Sequence, residues 1–167
     1  MFKQVILPIL AVIAFIIIVG IFSQKSFLGP HNLTSPAPSI SPEKTIVIDS
    51  KTIHVEIADT EAKRTQGLSG VSSLASDTGM LFVFDTAQVT PIFWMKGMLI
   101  PLDMIWISQG KIVHIDKSIP IPAPGTPDNQ LKTYSTGKPI DYVLEMNGGF
   151  SDKNKIKVGD SVDLSGI

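Results

Sequence analysis

The chain has 167 residues, of which 14 are basic and 15 are acidic, so its formal net charge is −1. That length leaves room for one domain plus accessory segments. The balanced charge excludes the basic footprint that nucleic-acid-binding proteins carry, so we expect no nucleic-acid partner. The chain has no cysteine, which excludes disulfides and suits a domain on either side of a membrane.

An uncharged apolar run begins at Val5 and ends at Phe22. As a helix it would extend about 27 Å, close to the ~30 Å hydrocarbon core of a bilayer. The sequence therefore predicts a single-pass membrane anchor in residues 1–25, with the lipid bilayer as its partner. A cleaved signal peptide is the alternative, but the run is longer than the roughly 7–15 residues typical of one, and no Ala-x-Ala-like site follows.

The position of the basic residues and the length of the following chain predict the orientation of the anchor. A short positive N-terminal tail stays inside most easily, and long following domains translocate largely regardless of their charge. We therefore expect the remainder of the chain to lie outside the cytoplasm, at the cell membrane.

Residues 26–44 contain four prolines and several serines and threonines. Such a composition cannot bury a core and favours extended conformations, so the segment is interpreted as a semi-rigid linker. The folded domain is then expected over residues 45–167.

Short alternating or apolar runs with Gly and Pro between them are typical of strands. Residues 45–48 and 53–57 predict a hairpin, Asp59 or Thr60 is a candidate N-cap for a helix at 61–66, and Gly67 ends that helix. Ser151 is a candidate cap for one further helical turn. Residues 118–133 hold four prolines and predict a long irregular loop. Further strands are predicted at residues 80–84, 90–95, 102–107, 111–116, 141–146 and 161–164, the third and fourth of them joined by a turn at 109–110.

The expected fold is therefore mainly β: a compact antiparallel barrel or sandwich with one or two short helices, preceded by the transmembrane helix and the Pro/Ser linker.

Residues 53–164 carry a series of distinctive motifs: Ala58-Asp59-Thr60 followed by Gly67-Leu68, GMLFVF at 79–84, FWMK at 93–96, IPLDMIWI at 100–107, GKIVHI at 110–115, YVLEMNGG at 142–149 and IKVGDSV at 156–162. Together they resemble the prokaryotic family called domain of unknown function 192, whose members are often secreted or membrane-anchored. The resemblance implies a compact β-rich fold and brings no established activity. The chain departs from the family pattern in having Gly97-Met98 where many members have Asn-Thr, and in lacking a cysteine near the proline-rich loop.

Asp103 lies inside an apolar predicted strand. The stretch around it, residues 93–106, is FWMKGMLIPLDMIW. Alternation places Leu102, Met104 and Trp106 on one face of that strand and Asp103 on the other. Because an unpaired buried carboxylate is very costly, Asp103 is expected to have a partner. The candidates are Lys96, the indole N–H of Trp94 and backbone N–H groups of the loop at residues 97–101. A carboxylate that fixes the 96–102 connection is favoured over one that faces a ligand.

The most consistent function is a non-catalytic binding or interaction module with an unknown ligand or envelope partner. Trp94, Lys96, Met98 and Asp103 are the candidate ligand-binding residues, at the place where the first three meet the proline-rich loop. No catalytic motif and no cofactor motif is present, so whether the protein is an enzyme stays open and we expect no cofactor.

Two alternatives remain. One is a hydrolase that uses Asp103 and Glu145 as a pair of apolar-flanked carboxylates. The other is a copper-binding module, since thioethers suit Cu(I). Its candidate ligands are Met80, Met95, Met98, Met104 and Met146.

Overall fold

The computed structural model of the chain describes residue 42 and residues 44–167. The predicted anchor lies outside the described residues, as does the predicted linker apart from Pro42 and Lys44. In the described part, no helix combines the length and the apolar character that crossing a membrane requires.

The described residues form nine strands and two short α-helices. In chain order these are β1 (Lys44–Ile48), β2 (Lys51–Ala58), α1 (Glu61–Gln66), β3 (Thr78–Val83), β4 (Phe93–Trp94), β5 (Leu102–Ser108), β6 (Lys111–Ile119), β7 (Thr133–Tyr134), β8 (Tyr142–Asn147), α2 (Phe150–Lys153) and β9 (Val162–Asp163).

Seven strands make one sheet in the order β6-β5-β8-β3-β2-β1-β9, while β4 and β7 pair separately. The two ends of the large sheet approach each other. Lys111 of β6 forms a bridge with Ser161, and the N–H of Val162 donates to the carbonyl of Gly110 over 2.8 Å. The sheet is therefore a nearly closed barrel, which confirms the mainly β fold with two short helices.

The predicted antiparallel arrangement is wrong at one pair, because β2 and β3 run parallel. A parallel pair requires a crossover connection, which is usually helical. Residues 59–77 provide that crossover and contain α1. The same crossover carries α1 onto the outer face of the sheet.

Local sequence signals explain several of the elements. Thr60 caps α1, where its Oγ1 accepts a hydrogen bond from the N–H of Lys63 over 3.2 Å. Gln109 and Gly110 both have positive φ, 52° and 67°, as the tight hairpin turn between β5 and β6 requires. Ser151 was predicted to cap a helical turn and instead lies inside α2, whose N-cap is Gly149.

Two apolar clusters lie on the two faces of the large sheet. The interior cluster fills the barrel and includes Ile53, Leu81, Ile105, Leu144 and Met146. The outer cluster lies on the convex face, beneath the connections between the strands. It is made of Ala58, Leu68, Val71, Met80, Phe82, Met95, Met98, Leu102, Met104, Trp106, Ile119, Tyr134, Ile140 and Val143.

Candidate functional site

A cleft of about 330 Å³ opens over the outer cluster, between α1 and the segment that leads into β4. Its walls are mostly apolar and aromatic, and they include Phe82, Phe84, Phe93, Trp94 and Met98. Clefts of this volume with a few polar groups among apolar walls are typical small-molecule sites. We call it the α1–β4 cleft.

Aromatic rings support the cleft from beneath. The ring of Phe93 lies edge-on to that of Phe82, with centroids 4.9 Å apart, and edge-on to that of Trp106, with centroids 5.6 Å apart. Trp106 is fully buried, and its indole N–H donates to Oδ2 of Asp116 over 2.9 Å. Edge-to-face ring contacts of this kind stabilise the packing beneath the cleft.

Glu145 of β8 is the one titratable side chain that is buried among the residues lining the cleft in the described structure. Only 4% of the residue is exposed, and its carboxyl makes no hydrogen bond or ion pair with any residue that the structure describes. Burial raises the pKa of Glu145 from 4.5 to about 8. At neutral pH the cleft therefore contains a mainly protonated carboxylic acid.

Gly67, at the end of α1, allows the backbone to pass directly over this carboxyl. Its φ is +49°, and an added Cβ would lie 3.9 Å from Oε2 of Glu145 and 3.4 Å from the ring of Phe82. A left-handed conformation at the end of a helix favours glycine. The glycine of the Gly67-Leu68 motif therefore lets the end of α1 pack closely against the cleft.

The rim of the cleft carries two cations, and both have acidic partners. Arg64 donates to the carbonyls of Asp59 and Val83, each over 2.8 Å, and to Oδ2 of Asp85 over 3.2 Å. Lys96 pairs with Asp128.

Trp94 completes the rim on the side of β4. It is 47% exposed, and the Nζ of Lys96 lies 5.5 Å from the centroid of its ring. A large exposed aromatic side chain beside a cleft is a feature of binding sites.

Three of the four predicted ligand-binding residues, Trp94, Lys96 and Met98, line the α1–β4 cleft together. Asp103 does not. It is fully buried near the start of β5, and it pairs in register with Met146 of the interior cluster.

The partners that we predicted for Asp103 are also wrong. Its Oδ1 accepts the N–H groups of Ser118 and Gly149 over 2.7 and 2.8 Å, and its Oδ2 accepts that of Ser151 over 2.7 Å. Asp103 therefore joins the end of β6 to the start of α2, rather than fixing the 96–102 connection. The predicted partner Lys96 is engaged with Asp128 instead.

The hydrolase alternative fails on geometry. Glu145 is the register partner of Met104, which belongs to the outer cluster, whereas Asp103 pairs with Met146 of the interior cluster. Since cross-strand partners project from the same face, the two carboxylates lie on opposite faces of the sheet. They cannot flank one substrate bond.

The methionines proposed for copper do not form one group. Met80, Met95, Met98 and Met104 are buried in the outer cluster, and Met146 is buried in the interior cluster. These are the positions at which methionine fills a core. In the described residues, no group of three or more His, Cys, Asp or Glu side chains is arranged to hold a metal ion.

The predicted proline-rich loop meets the site at two places: Asp128 pairs with Lys96, and Thr133 pairs in register with Trp94. Several other residues of that loop, between 120 and 132, line a smaller pocket of about 240 Å³ together with Met95 and Tyr134. The sequence predicts a role for Glu145, the floor residue of the cleft, only in the hydrolase alternative, as the catalytic partner of Asp103. The sequence signal for it is a lone acid between aliphatic residues in VLEM, residues 143–146.

Two solved structures are similar to the described fold. One, from Sinorhizobium meliloti 1021 and described as a candidate transcription regulator, has a TM-score of 0.65 and 28% sequence identity, and covers 78% of this chain and 100% of its own. The other, a protein of unknown function from Novosphingobium aromaticivorans DSM 12444, has a TM-score of 0.64 and 24% identity, and covers 77% of this chain and 94% of its own. The second likeness shows the fold alone.

No curated protein matches the chain. A family model does match it, over residues 44–164: domain of unknown function 192 (DUF192), which is described as "Uncharacterized ACR". The match spans most of the chain and nearly all of the described residues, and it confirms the resemblance seen in the motifs. The chain belongs to this uncharacterised family.

Proposed function

We propose that residues 44–167 form a non-catalytic binding module and that the α1–β4 cleft is its ligand site. Glu145 forms the floor of the site, while Trp94, Lys96 and Met98 form its walls. One observation supports this above the others: Glu145 is buried in the cleft without a partner in the described residues.

A polar group that is buried without a partner costs about 1–3 kcal/mol of stability, and less where its oxygens keep some contact with solvent, as those of Glu145 do. Such groups are rare in folded proteins and often mark a functional role. Asp103 is the contrasting buried acid of the same molecule. Three backbone N–H groups already donate to its carboxylate, so it does not need a ligand as a partner. A ligand that satisfies Glu145 would remove the cost.

Binding is favoured over catalysis by the composition of the cleft. Among the described residues that line it, no serine, cysteine or histidine is present to form a nucleophile–base pair with Glu145. A transcription-regulator role, as described for the Sinorhizobium protein, is not carried over, because a formal net charge of −1 gives no footprint for DNA.

Fluorescence tests the binding function, because Trp94 is exposed at the cleft while Trp106 is fully buried. Titration of the purified full chain in a non-ionic detergent with benzyl alcohol, a neutral aromatic probe that is transparent where tryptophan is excited, should shift the Trp94 emission and saturate. Trp94→Phe should retain binding when it is followed by the displacement of a dye by benzyl alcohol, whereas Met98→Trp should block the cleft. Val158→Ala, at an exposed apolar position outside the cleft, is the control. Lack of saturation would contradict the assignment of the cleft.

We also propose that residues 5–22 tether this module to the cell membrane and that it faces outside the cytoplasm. The length of the uncharged run and the absence of an Ala-x-Ala-like site support this. Protease added to intact cells should degrade the domain, while a cytoplasmic marker protein stays intact. Protection of the domain until the cells are permeabilised would contradict the outward orientation.

A further inference from the structure

We propose that the α1–β4 cleft takes an organic cation, an alkylated ammonium group that lies between the carboxylate of Glu145 and the surrounding aromatic rings. This ligand class rests on the binding function proposed above for the same cleft. It follows from three features: the position of Glu145 beside the rings, the charge balance of the rim, and the missing partner of Glu145.

The carboxyl and the rings form one corner of the cleft. Gly67 lies against both, because its Cβ position is 3.9 Å from Oε2 of Glu145 and 3.4 Å from the ring of Phe82. Phe93 is in contact with Phe82, and Phe84 and Trp94 extend the aromatic lining outward. Aromatic faces next to a carboxylate are the surroundings in which proteins hold quaternary and methylated ammonium groups.

The charges of the cleft favour a cation. Each basic residue of the rim already has a carboxylate partner, Asp85 for Arg64 and Asp128 for Lys96. The two remaining charged residues of the lining are Glu61 and Glu145, and neither is ion-paired in the described structure. An anion would find no unpaired basic side chain among these lining residues, whereas a cation would find an acid that can ionise and pair with it.

A buried ion pair also explains why Glu145 is kept without a protein partner. Its desolvated carboxyl is ready to ionise when a positive charge arrives, because an opposite charge favours the ionised form. The charged groups that line the cleft with it are Glu61 and Arg64 from α1 and Lys96 from the segment after β4. The described residues of β3 and β5 contribute no titratable group to this lining.

Cation binding must then release a proton from Glu145. Since its pKa is about 8 without ligand, the affinity for a permanently charged cation should rise with pH up to that value. The rise should approach about tenfold per pH unit below pH 7 and level off above pH 9. A ligand that accepts a hydrogen bond from the protonated acid would show the opposite pH dependence.

The test compares choline with 3,3-dimethylbutan-1-ol, an uncharged molecule of the same shape. The full chain in a non-ionic detergent is titrated with each probe, and the emission of Trp94 is followed. Choline should bind at least tenfold more tightly than the alcohol. Its affinity should increase between pH 6 and pH 8, and calorimetry in two buffers should detect the released proton.

Two variants separate the role of Glu145 from general damage to the fold. Glu145→Gln keeps the size of the side chain and removes its charge, so it should equalise the two affinities and abolish the pH dependence. Asp152→Asn alters a surface carboxylate that is paired with Lys117, away from the cleft, and should change neither.

Equal affinities of choline and the alcohol for the unaltered protein would overturn the assignment of a cation. So would an unchanged choline preference in Glu145→Gln. Saturable binding of benzyl alcohol in that event would leave the binding function standing, whereas a lack of benzyl alcohol binding would contradict both proposals.

Discussion

At the residue scale, Asp103 and Glu145 show how the surroundings decide what a buried acid does. Asp103 accepts three backbone N–H groups, and Glu145 accepts none in the described structure. The sequence alone places both in apolar strands and cannot separate them. The partners of Asp103 are 15 to 48 residues away along the chain, so no local pattern predicts them.

Asp103→Asn should destabilise the domain by about 2–4 kcal/mol, because the amide nitrogen would face an N–H donor and leave it unsatisfied in a buried site. Urea unfolding of the purified domain measures the change. Asp152→Asn, at an exposed ion pair, is the matched control and should be nearly neutral. If Asp103→Asn kept the full stability of the wild type, the structural role assigned to Asp103 would be wrong.

Glu145 should make the stability of the domain depend on pH. Between pH 4.5 and pH 8 the folded state keeps a proton that the unfolded chain releases, so raising the pH favours unfolding. The loss should approach about 1.4 kcal/mol per pH unit within that window and stop above it. Thermal unfolding of the wild type and Glu145→Gln from pH 4 to pH 9 tests this.

The difference between these two proteins isolates Glu145 from the other titrating groups. The variant should be about as stable as the wild type near pH 4 and clearly more stable near pH 9. Parallel stability curves across the whole range would show that the carboxyl of Glu145 is solvated in the folded state.

At the scale of the elements, short-range signals predict well and long-range pairing does not. The β1–β2 hairpin, α1 with its Thr60 cap, and the β5–β6 turn follow from neighbouring residues. The parallel pairing of β2 with β3 depends on where a crossover returns, which alternation does not encode. The strand β7 was missed because two residues show no periodicity, and the strand predicted at 90–95 is reduced to Phe93–Trp94.

The close approach of β3 to β8 depends on Gly79. A Cβ added there would lie 2.3 Å from Sδ of Met146 and 2.5 Å from the carbonyl oxygen of Glu145. Gly79→Ala should therefore destabilise the domain by about 2 kcal/mol or more, because backbone cannot move aside cheaply.

Gly137→Ala is the control for Gly79→Ala. It adds a Cβ with nothing within 4 Å, at a φ of +65°. It should cost only the backbone strain of about 1 kcal/mol. Equal effects of the two substitutions on the urea midpoint would show that the contact between β3 and β8 is looser than described.

At the scale of the whole molecule, the two apolar clusters share the strands β3, β5 and β8. Alternate residues of each strand belong to different clusters, so neither cluster can be lost while the other keeps its geometry. The mainly β class was predictable because alternation was present in several runs. The location of the cleft was not predictable, because it depends on which face of the sheet α1 covers.

Residues 44–167, expressed without the preceding segment, should therefore unfold in one cooperative transition. Near-ultraviolet circular dichroism reports Trp106 in the outer cluster, and far-ultraviolet dichroism reports the strands. The two signals should give coincident urea curves. Separate midpoints would show that the clusters are independent, contrary to the shared strands.

The three hydrogen bonds to Asp103 have a consequence for amide exchange with deuterated water. The N–H of Ser151 lies in a helix of only four residues, where exchange is ordinarily rapid because short helices fray. Here that proton donates to a side chain of β5, a strand that is paired on both sides in the sheet. It should therefore exchange as slowly as the sheet itself, and a single slow proton in α2 would report the opening of the barrel.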